Sequence, residues 1–114
     1  MAIKYYKVYL RVPAFRDRLY WLDRYVFMAV DDEKGILGGI SYEFKGDSAF
    51  IYLILVKACF RGKGYGTKLL RKFEEFVSDR GAKRIIVCCP RDREMWVKNG
   101  YELEPTGVYA YKKL

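Results

Sequence analysis

The sequence predicts an α/β fold in a single domain over residues 1–114, and three observations predict it. Stretches of alternating apolar residues are joined by short turns of glycine and charged residues, which is typical of strand hairpins. A glycine-rich turn then leads into a segment whose apolar residues recur at helical spacing. With 114 residues, 52% of them hydrophobic, the chain can form one core.

The first 24 residues predict a strand followed by a short helix. Residues 3–12 alternate between apolar and polar side chains, as a strand with one buried face does. Pro13 favours the first turn of a helix, because its missing N–H would have no partner there. Apolar residues then recur at helical spacing up to a helix end near Arg24. These residues are Phe15, Leu19 and Leu22.

Three consecutive strands are predicted next, at residues 25–30, 36–44 and 49–56. The longest predicted helix starts after the glycine-rich turn. Its apolar stripe consists of Leu69, Leu70, Phe73, Phe76 and Val77. Gly81 is predicted as its C-cap. The remaining elements are a strand at 84–89, a short helix at 92–98 and a hairpin of residues 101–104 and 108–112.

Residues 61–67 carry the most specific pattern, Arg-Gly-Lys-Gly-Tyr-Gly-Thr, between a strand and a helix. Glycines let the backbone approach a ligand, and the free N–H groups of a helix N-terminus attract phosphate. The Walker A pattern ends in Gly-Lys followed by Ser or Thr, but here Thr67 comes before Lys68, so the pattern does not match. The spacing also does not match the dinucleotide pattern G-x-G-x-x-G. A phosphate site of another kind is predicted.

The pattern Arg61-x-x-Gly64-x-Gly66, five residues after a strand that ends at Val56, resembles the acetyl-CoA signature of the Gcn5-related N-acetyltransferases (GNAT family). A second stretch, from Met95 to Tyr101, is similar to this family's aromatic pair followed by a Gly-aromatic step. The order of elements is similar to the whole family fold, shortened in its first helical part. The resemblance implies a mixed, mostly antiparallel sheet of six to seven strands with helices on both faces.

The resemblance also implies acetyl-CoA as cosubstrate and direct transfer of acetyl to a primary amine of a small molecule or a protein. The pantetheine arm would lie along the strand at Leu55 and Val56, like an added strand. The Val56 amide would stabilise the oxyanion. The pyrophosphate would bind the turn. The residues implied for that part of the site are Arg61, Gly62, Lys63, Gly64, Tyr65, Gly66 and Thr67.

The sequence departs from the family at its usual catalytic positions. The tyrosine that commonly protonates the leaving thiolate falls at Trp96, whose indole can donate a hydrogen bond but is no acid. The position of a glutamate base is Phe50. Cys89 stands where an asparagine is often found, either as an inert core residue or as a nucleophile. The amine pocket would include Tyr20 and Trp21, for which packing against the sheet is an equal interpretation.

Composition restricts the alternatives. Besides the acetyltransferase, a second interpretation is a non-catalytic CoA-binding sensor or partner module. The net charge of +8 permits a third, a basic nucleic-acid binder, but the basic residues are dispersed among fourteen acidic ones, which disfavours it. The absence of histidine and the lack of zinc spacing among Cys59, Cys88 and Cys89 predict no metal.

Location and assembly are expectations only. The first residues lack the apolar core of a signal peptide and no stretch is long enough to span a membrane, so we expect a cytoplasmic protein with no membrane partner. The unpaired cysteine set fits a reducing compartment. The aromatic C-terminal hairpin can pair strands between two subunits, which leaves a homodimer open.

Overall fold

The computed structural model describes residues 3–13 and 21–114. In this part of the chain seven strands form one sheet, accompanied by two α-helices and a short 3-10 helix, Ala58–Phe60. The strands are β1 (Ile3–Pro13), β2 (Trp21–Asp31), β3 (Gly35–Lys45), β4 (Ser48–Val56), β5 (Arg84–Cys88), β6 (Glu102–Leu103) and β7 (Tyr109–Lys113). The helices are α1 (Tyr65–Asp79) and α2 (Arg93–Lys98).

The sheet is mixed and mostly antiparallel, as predicted. Its strand order is β1-β2-β3-β4-β5-β7-β6. Only β4 and β5 pair in parallel, and the chain crosses between them through α1. A parallel pair requires such a crossover, since a hairpin turn can join only antiparallel neighbours.

The prediction of a helix that ends near Arg24 is wrong for residues 21–24. β1 and β2 pair over their full length, from Ile3 opposite Asp31 to Pro13 opposite Trp21, so residues 21–24 are extended. Eleven cross-strand pairs outweigh a helical spacing that rests on three apolar residues. Pro13, which was predicted in the first turn of that helix, is instead the last residue of β1. The remaining residues of the prediction, 14–20, lie outside the described residues.

The core lies between the sheet and α1. The amphipathic stripe of α1 is buried as predicted, except that Phe76 is only partly buried. It packs on alternate residues of the central strands, among them Phe27, Ile40 and Tyr42. Burial raises the pKa of the Tyr42 phenol to about 12. We call the side of the sheet that faces α1 the helix face, and the other side the far face.

Both described helices lie on the helix face. The Lys112 Nζ of β7 contacts both carboxylate oxygens of Glu74 on α1, at 3.1 and 3.2 Å, and the carbonyl oxygen of Asn99 just after α2, at 3.0 Å. The Tyr101 hydroxyl donates to Glu74 at 2.8 Å. Burial, and then Glu74, raise the Tyr101 pKa. This network fixes α2 and the last hairpin to α1.

Element ends agree closely with the sequence elsewhere. Gly81 follows α1 with a φ of 92° and donates to the carbonyl of Ser78 at 3.0 Å, which confirms it as the predicted C-cap. Asp92 caps α2, because its carboxylate accepts from the Met95 N–H at 3.2 Å. The 3-10 helix was not predicted. None of the helices in the described ranges has the length and apolarity needed to cross a membrane.

Candidate functional site

Strands β4 and β5 part in the middle of the sheet. They pair only from Ser48 opposite Arg84 to Ile51 opposite Val87. At Tyr52 the register of β4 against β3 shifts by one residue, so that Ser41 lies opposite Leu53 and Tyr42 opposite Ile51. Such a bulge bends the strand that carries the extra residue. The last five residues of β4 therefore have a neighbouring strand on one side only, and we call their other side the open edge.

The register identifies which backbone groups face the open edge. The Lys57 N–H donates to the Leu37 carbonyl directly opposite it, at 2.9 Å. Hydrogen-bonded pairs alternate along an antiparallel ladder, so Leu55 also turns its N–H and C=O toward β3. Ile54 and Val56 turn theirs toward the open edge. An added chain would therefore find its backbone partners at Ile54 and Val56.

A cleft of about 110 Å³ occupies the space between the parted strands. One wall is β4 from Ile51 to Ile54, and the other is the end of β5 with the residues that follow it. Residues Met95 and Trp96 of α2 also line it. The cleft combines an apolar surface with unpaired backbone groups, which is the kind of surface that accepts an extended ligand as an extra strand.

The loop of residues 61–66, here called the glycine loop, connects this edge to α1. Gly62 and Gly64 have φ angles of 77° and 82°, which side chains other than glycine adopt with strain. A Cβ at either position would meet no atom within 4 Å, so the space in front of the loop is open. Gly66 packs on the sheet, because its Cβ would lie 3.6 Å from Val56 Cγ2.

The N-terminus of α1 is suited to bind an anion. Its N-cap is Gly64, no side chain caps it, and its first turn contains no acidic residue. The N–H groups of Tyr65, Gly66 and Thr67 have no intrahelical acceptor in this position. Lys63 and Lys68 are exposed beside them. The helix dipole and these cations act in the same direction, toward a phosphate at this end.

Arg61 connects the loop to the open edge. Its Nε donates to the carbonyl oxygen of Val56 at 2.9 Å. That carbonyl is one of the groups that faces the open edge, so Arg61 occupies it and leaves the Val56 N–H available. Tyr65 anchors the other end of the loop. Its buried ring packs edge-on against Phe60, with centroids 6.0 Å apart.

The two positions that lack a conventional acid or base are placed differently. Trp96 is 2% exposed and packs edge-on against Tyr101, with centroids 5.0 Å apart. The Trp96 side chain also lines the cleft. Phe50 is on the far face, with Lys45 Nζ 5.3 Å from its ring centroid. Phe50 lies opposite Glu43, which forms a 3.5 Å ion pair with Lys45.

Cys88 and Cys89 both line the cleft. Burial, and then the neighbouring Cys89, raise the pKa of the Cys88 thiol, which keeps it protonated near neutral pH. Cys89 is exposed, has a φ of 52°, and its N–H donates to the Val108 carbonyl at 2.9 Å. This left-handed φ follows directly on Cys88, the last residue of β5, so Cys89 stands at the point where the strand ends.

Other predicted positions lie elsewhere. Trp21 is the first residue of β2, opposite Pro13, and Tyr20 lies outside the described residues. The acidic residues of the β2–β3 turn, which could attract a cationic amine, begin with Asp31, whose carboxylate accepts backbone hydrogen bonds from Glu33 and Lys34 at 2.8 and 2.9 Å and so shapes the turn. Within the described ranges no three histidine, cysteine or acidic side chains come together as metal ligands would.

Two further residues line the cleft: Ile54, which the sequence did not indicate, and Tyr52, which it offered only as one of several strand residues that could relay a proton. Ile54 shares the open edge with Val56, and the alternation of a strand could have indicated this pair once the register was known. Tyr52 is the extra residue of the bulge and lines the cleft. Bulges reorient a side chain but leave no mark in a sequence of alternating apolar residues.

A seven-stranded sheet that opens between β4 and β5 beside a glycine loop is the acyl-CoA N-acyltransferase fold. The sequence profile described as the acetyltransferase (GNAT) family matches residues 2–101. The chain therefore belongs to the GNAT acetyltransferase family. No curated protein sequence matches it.

Solved structures of this family have the same fold. The PaiA N-acetyltransferase of Thermoplasma acidophilum, in complex with coenzyme A, has 22% identity and a TM-score of 0.69 over 78% of this chain and 60% of its own. An acetyltransferase from Bacillus cereus has 22% identity and a TM-score of 0.63 over 96% and 74%. A GNAT family N-acetyltransferase from Escherichia coli, in complex with CoA, has 15% identity and a TM-score of 0.66 over 78% and 58%. This chain thus spans about three fifths of the two CoA-bound enzymes.

Proposed function

We propose that this protein is an N-acetyltransferase that moves the acetyl group of acetyl-CoA to a primary amine by direct attack. The observation that carries the proposal is the open edge of β4, whose available groups, the N–H and C=O of Ile54 and the N–H of Val56, lead to the glycine loop. Family membership and the CoA bound to two related structures support it.

The proposed binding mode follows from these groups. The pyrophosphate would accept hydrogen bonds from the N-terminus of α1 and attract Lys63 and Lys68. The pantetheine arm would extend along the open edge and pair with the backbone of Ile54 and Val56. Leu55 would contribute its side chain, because its backbone groups face β3.

The proposed chemistry requires few side chains. The lone pair of the amine attacks the thioester carbon, the C–S bond breaks, CoA leaves as its thiolate, and the nitrogen loses a proton. The N–H of Val56, or that of Ile54 about 6.6 Å farther from the loop, would stabilise the oxyanion. Tyr52 is our candidate for the acid that protonates the thiolate, because it lines the cleft and carries an ionisable phenol.

A second candidate function is a CoA-binding module without turnover. It is favoured by the apolar Phe50 and the buried Trp96 at the two usual catalytic positions. Both functions predict binding of acetyl-CoA, and they differ in whether an amine is acetylated. The nucleic-acid interpretation predicts binding that weakens steeply with salt and no preference for CoA.

Calorimetric titration of the whole chain with acetyl-CoA tests the proposal, with Gly64→Val and Gly46→Val as matched variants. Gly46 has a φ of 60° and, like Gly64, open space around its missing Cβ, so each substitution should lower stability by about 1–3 kcal/mol. Only Gly64 lies in the glycine loop. We expect one-to-one micromolar binding to wild type and Gly46→Val, and at least tenfold weaker binding to Gly64→Val.

If the folded wild-type protein binds acetyl-CoA, a set of amines should then be screened in an assay that measures release of the free CoA thiol. Absence of binding by folded wild type would remove the proposal. Equal affinity in Gly46→Val and folded Gly64→Val would show that the loop does not hold the cofactor. Binding without acetylation of any amine in the screen would favour the non-catalytic module.

A further inference from the structure

The far face of the sheet carries an apolar groove beside the proposed CoA cleft. Its volume is about 290 Å³, at the lower limit of small-molecule sites. Leu53 and Leu55 of β4 and Ile36 of β3 are exposed in it by 48%, 53% and 44%, which is unusual for large aliphatic side chains grouped on one face of a sheet. Its lining residues are Val26, Met28, Ile36, Gly38, Gly39, Ser41, Leu53, Leu55 and Lys57.

The groove exists because a side chain is missing from β3. Gly39 lies between Met28 of β2 and Leu55 of β4 in one cross-strand row. A Cβ at Gly39 would point into the groove and lie 3.0 Å from Val26 Cγ1. The result is a slot one strand wide, with β2 and β4 side chains as its walls. A narrow slot fits a linear chain better than the flat surface of another sheet.

The groove also connects with the cleft. Leu53 lines both. Between Leu53 and Leu55 the far face of β4 presents only the backbone of Ile54, because the Ile54 side chain packs against the core. The Cα atoms of these two leucines are about 6.6 Å apart along the strand, and their own side chains take up much of this spacing. A chain attached to a thioester at the open edge would cross β4 at Leu53, whose exposed side chain would turn aside.

We propose that the groove binds the acyl chain of acyl-CoA donors longer than acetyl. This inference rests on the proposed function, because it requires the thioester at the open edge of β4. Among the described residues that line the groove, Lys57 is the only charged one, which favours an uncharged alkyl chain. With each methylene taken as close to the roughly 30 Å³ of a water molecule, the groove volume of about 290 Å³ corresponds to about ten carbons.

A series of donors tests this inference: CoA, acetyl-CoA, butanoyl-CoA, hexanoyl-CoA and octanoyl-CoA, each titrated calorimetrically into the whole chain. A fully buried methylene strengthens binding about fourfold, and an open groove that buries half of it about twofold. We therefore expect the dissociation constant to fall by roughly 30- to 100-fold from acetyl-CoA to octanoyl-CoA.

Two groove variants and one control locate the chain. Gly39→Val would fill the slot, and Ile36→Ser would remove apolar surface from one end of it. Val97→Ser changes a side chain of α2 that is 53% exposed and lies outside the groove. In both groove variants the dissociation constant should depend little on the length of the acyl chain. In the control variant it should depend on chain length as in wild type. Ile36→Ser tests the inference even if Gly39→Val fails to fold, because Ile36 is already 44% exposed.

The outcomes separate the two proposals. A flat series in wild type that still binds acetyl-CoA overturns the groove inference and leaves the acetyltransferase. Absence of binding by CoA itself overturns both. A length dependence that survives Gly39→Val and Ile36→Ser places the chain elsewhere. A wild-type dimer that Ile36→Ser dissociates, with no length dependence, assigns the groove to a second copy of the chain.

Discussion

The two halves of β4 differ although they form one continuous strand. From Ser48 to Ile51 the strand has a partner on each side, and Ala49 and Ile51 are fully buried. From Tyr52 onward it has one partner, and Leu53 and Leu55 are about half exposed. The first half stabilises the fold and the second half leaves backbone groups for a ligand. One bulge at Tyr52 separates these roles.

Matched truncations on either side of the bulge give the largest expected effect. Ile51→Ala should lower the free energy of unfolding by about 3 kcal/mol, because it leaves a cavity in a closed core. Leu53→Ala, two residues away, should lower it by less than about 1 kcal/mol, since Leu53 is half exposed. Urea unfolding without ligand measures both. Similar losses would mean that the two halves do not differ in stability.

The bulge residue itself should affect turnover more than binding. If Tyr52 protonates the departing thiolate, Tyr52→Phe should lower kcat about tenfold or more and leave the affinity for acetyl-CoA unchanged. Trp96→Tyr serves as the comparison. Its ring is buried against Tyr101, so we expect it to lose stability without gaining turnover. A Tyr52→Phe enzyme with wild-type kcat would assign the proton to another donor or to water.

Substitution of Arg61 should have a smaller effect, on acetyl-CoA affinity, because Arg61 contacts only the second half of β4. Arg61→Ala removes the hydrogen bond to the Val56 carbonyl and one charge beside the glycine loop. We expect acetyl-CoA affinity to fall about twofold to tenfold, which corresponds to the roughly 0.5–1.5 kcal/mol of an ordinary net hydrogen bond. Arg61→Lys keeps the charge but loses the planar Nε donor. An affinity restored in Arg61→Lys would show that charge alone accounts for the effect.

The smallest expected effect lies outside β4 and serves as a reference. Backbone hydrogen bonds from Lys34 and then Glu33 lower the pKa of Asp31. A lowered folded-state pKa contributes stability above the unfolded value of about 3.9, and this stability is lost as pH falls through the folded value. Asp31→Asn should therefore reduce the pH dependence of unfolding below pH 4, measured by thermal unfolding at several pH values. An unchanged profile would mean that other carboxylates dominate it.

The sequence predicted the parts of this molecule that depend on local geometry. Gly62 and Gly64 have positive φ angles, which glycine adopts without strain, and Gly81 at the end of α1 meets the same requirement. The apolar stripe of α1 reflected burial on one face. In each case the residue type carries the physical requirement directly.

The sequence failed where long-range pairing decides the conformation. Residues 21–24 showed helical spacing, but the hairpin with β1 extends them. The bulge at Tyr52 arises from the register between two strands, which single residues do not encode. The orientation of Leu55 toward β3 follows from that register. Local motifs therefore sufficed to propose a site along the chain, while the choice between Ile54 and Leu55 required the pairing.

The open edge of β4 has a consequence for solubility. A strand with unpaired N–H and C=O groups is a template on which another chain can add, and this is how many sheet proteins aggregate. Here the exposed stretch is only five residues long, and Arg61 covers one of its carbonyls and places a cation there. The surface proposed to bind CoA and the surface most prone to mispairing are the same. A saturating ligand should then delay aggregation on heating by occupying the edge as well as by stabilising the fold.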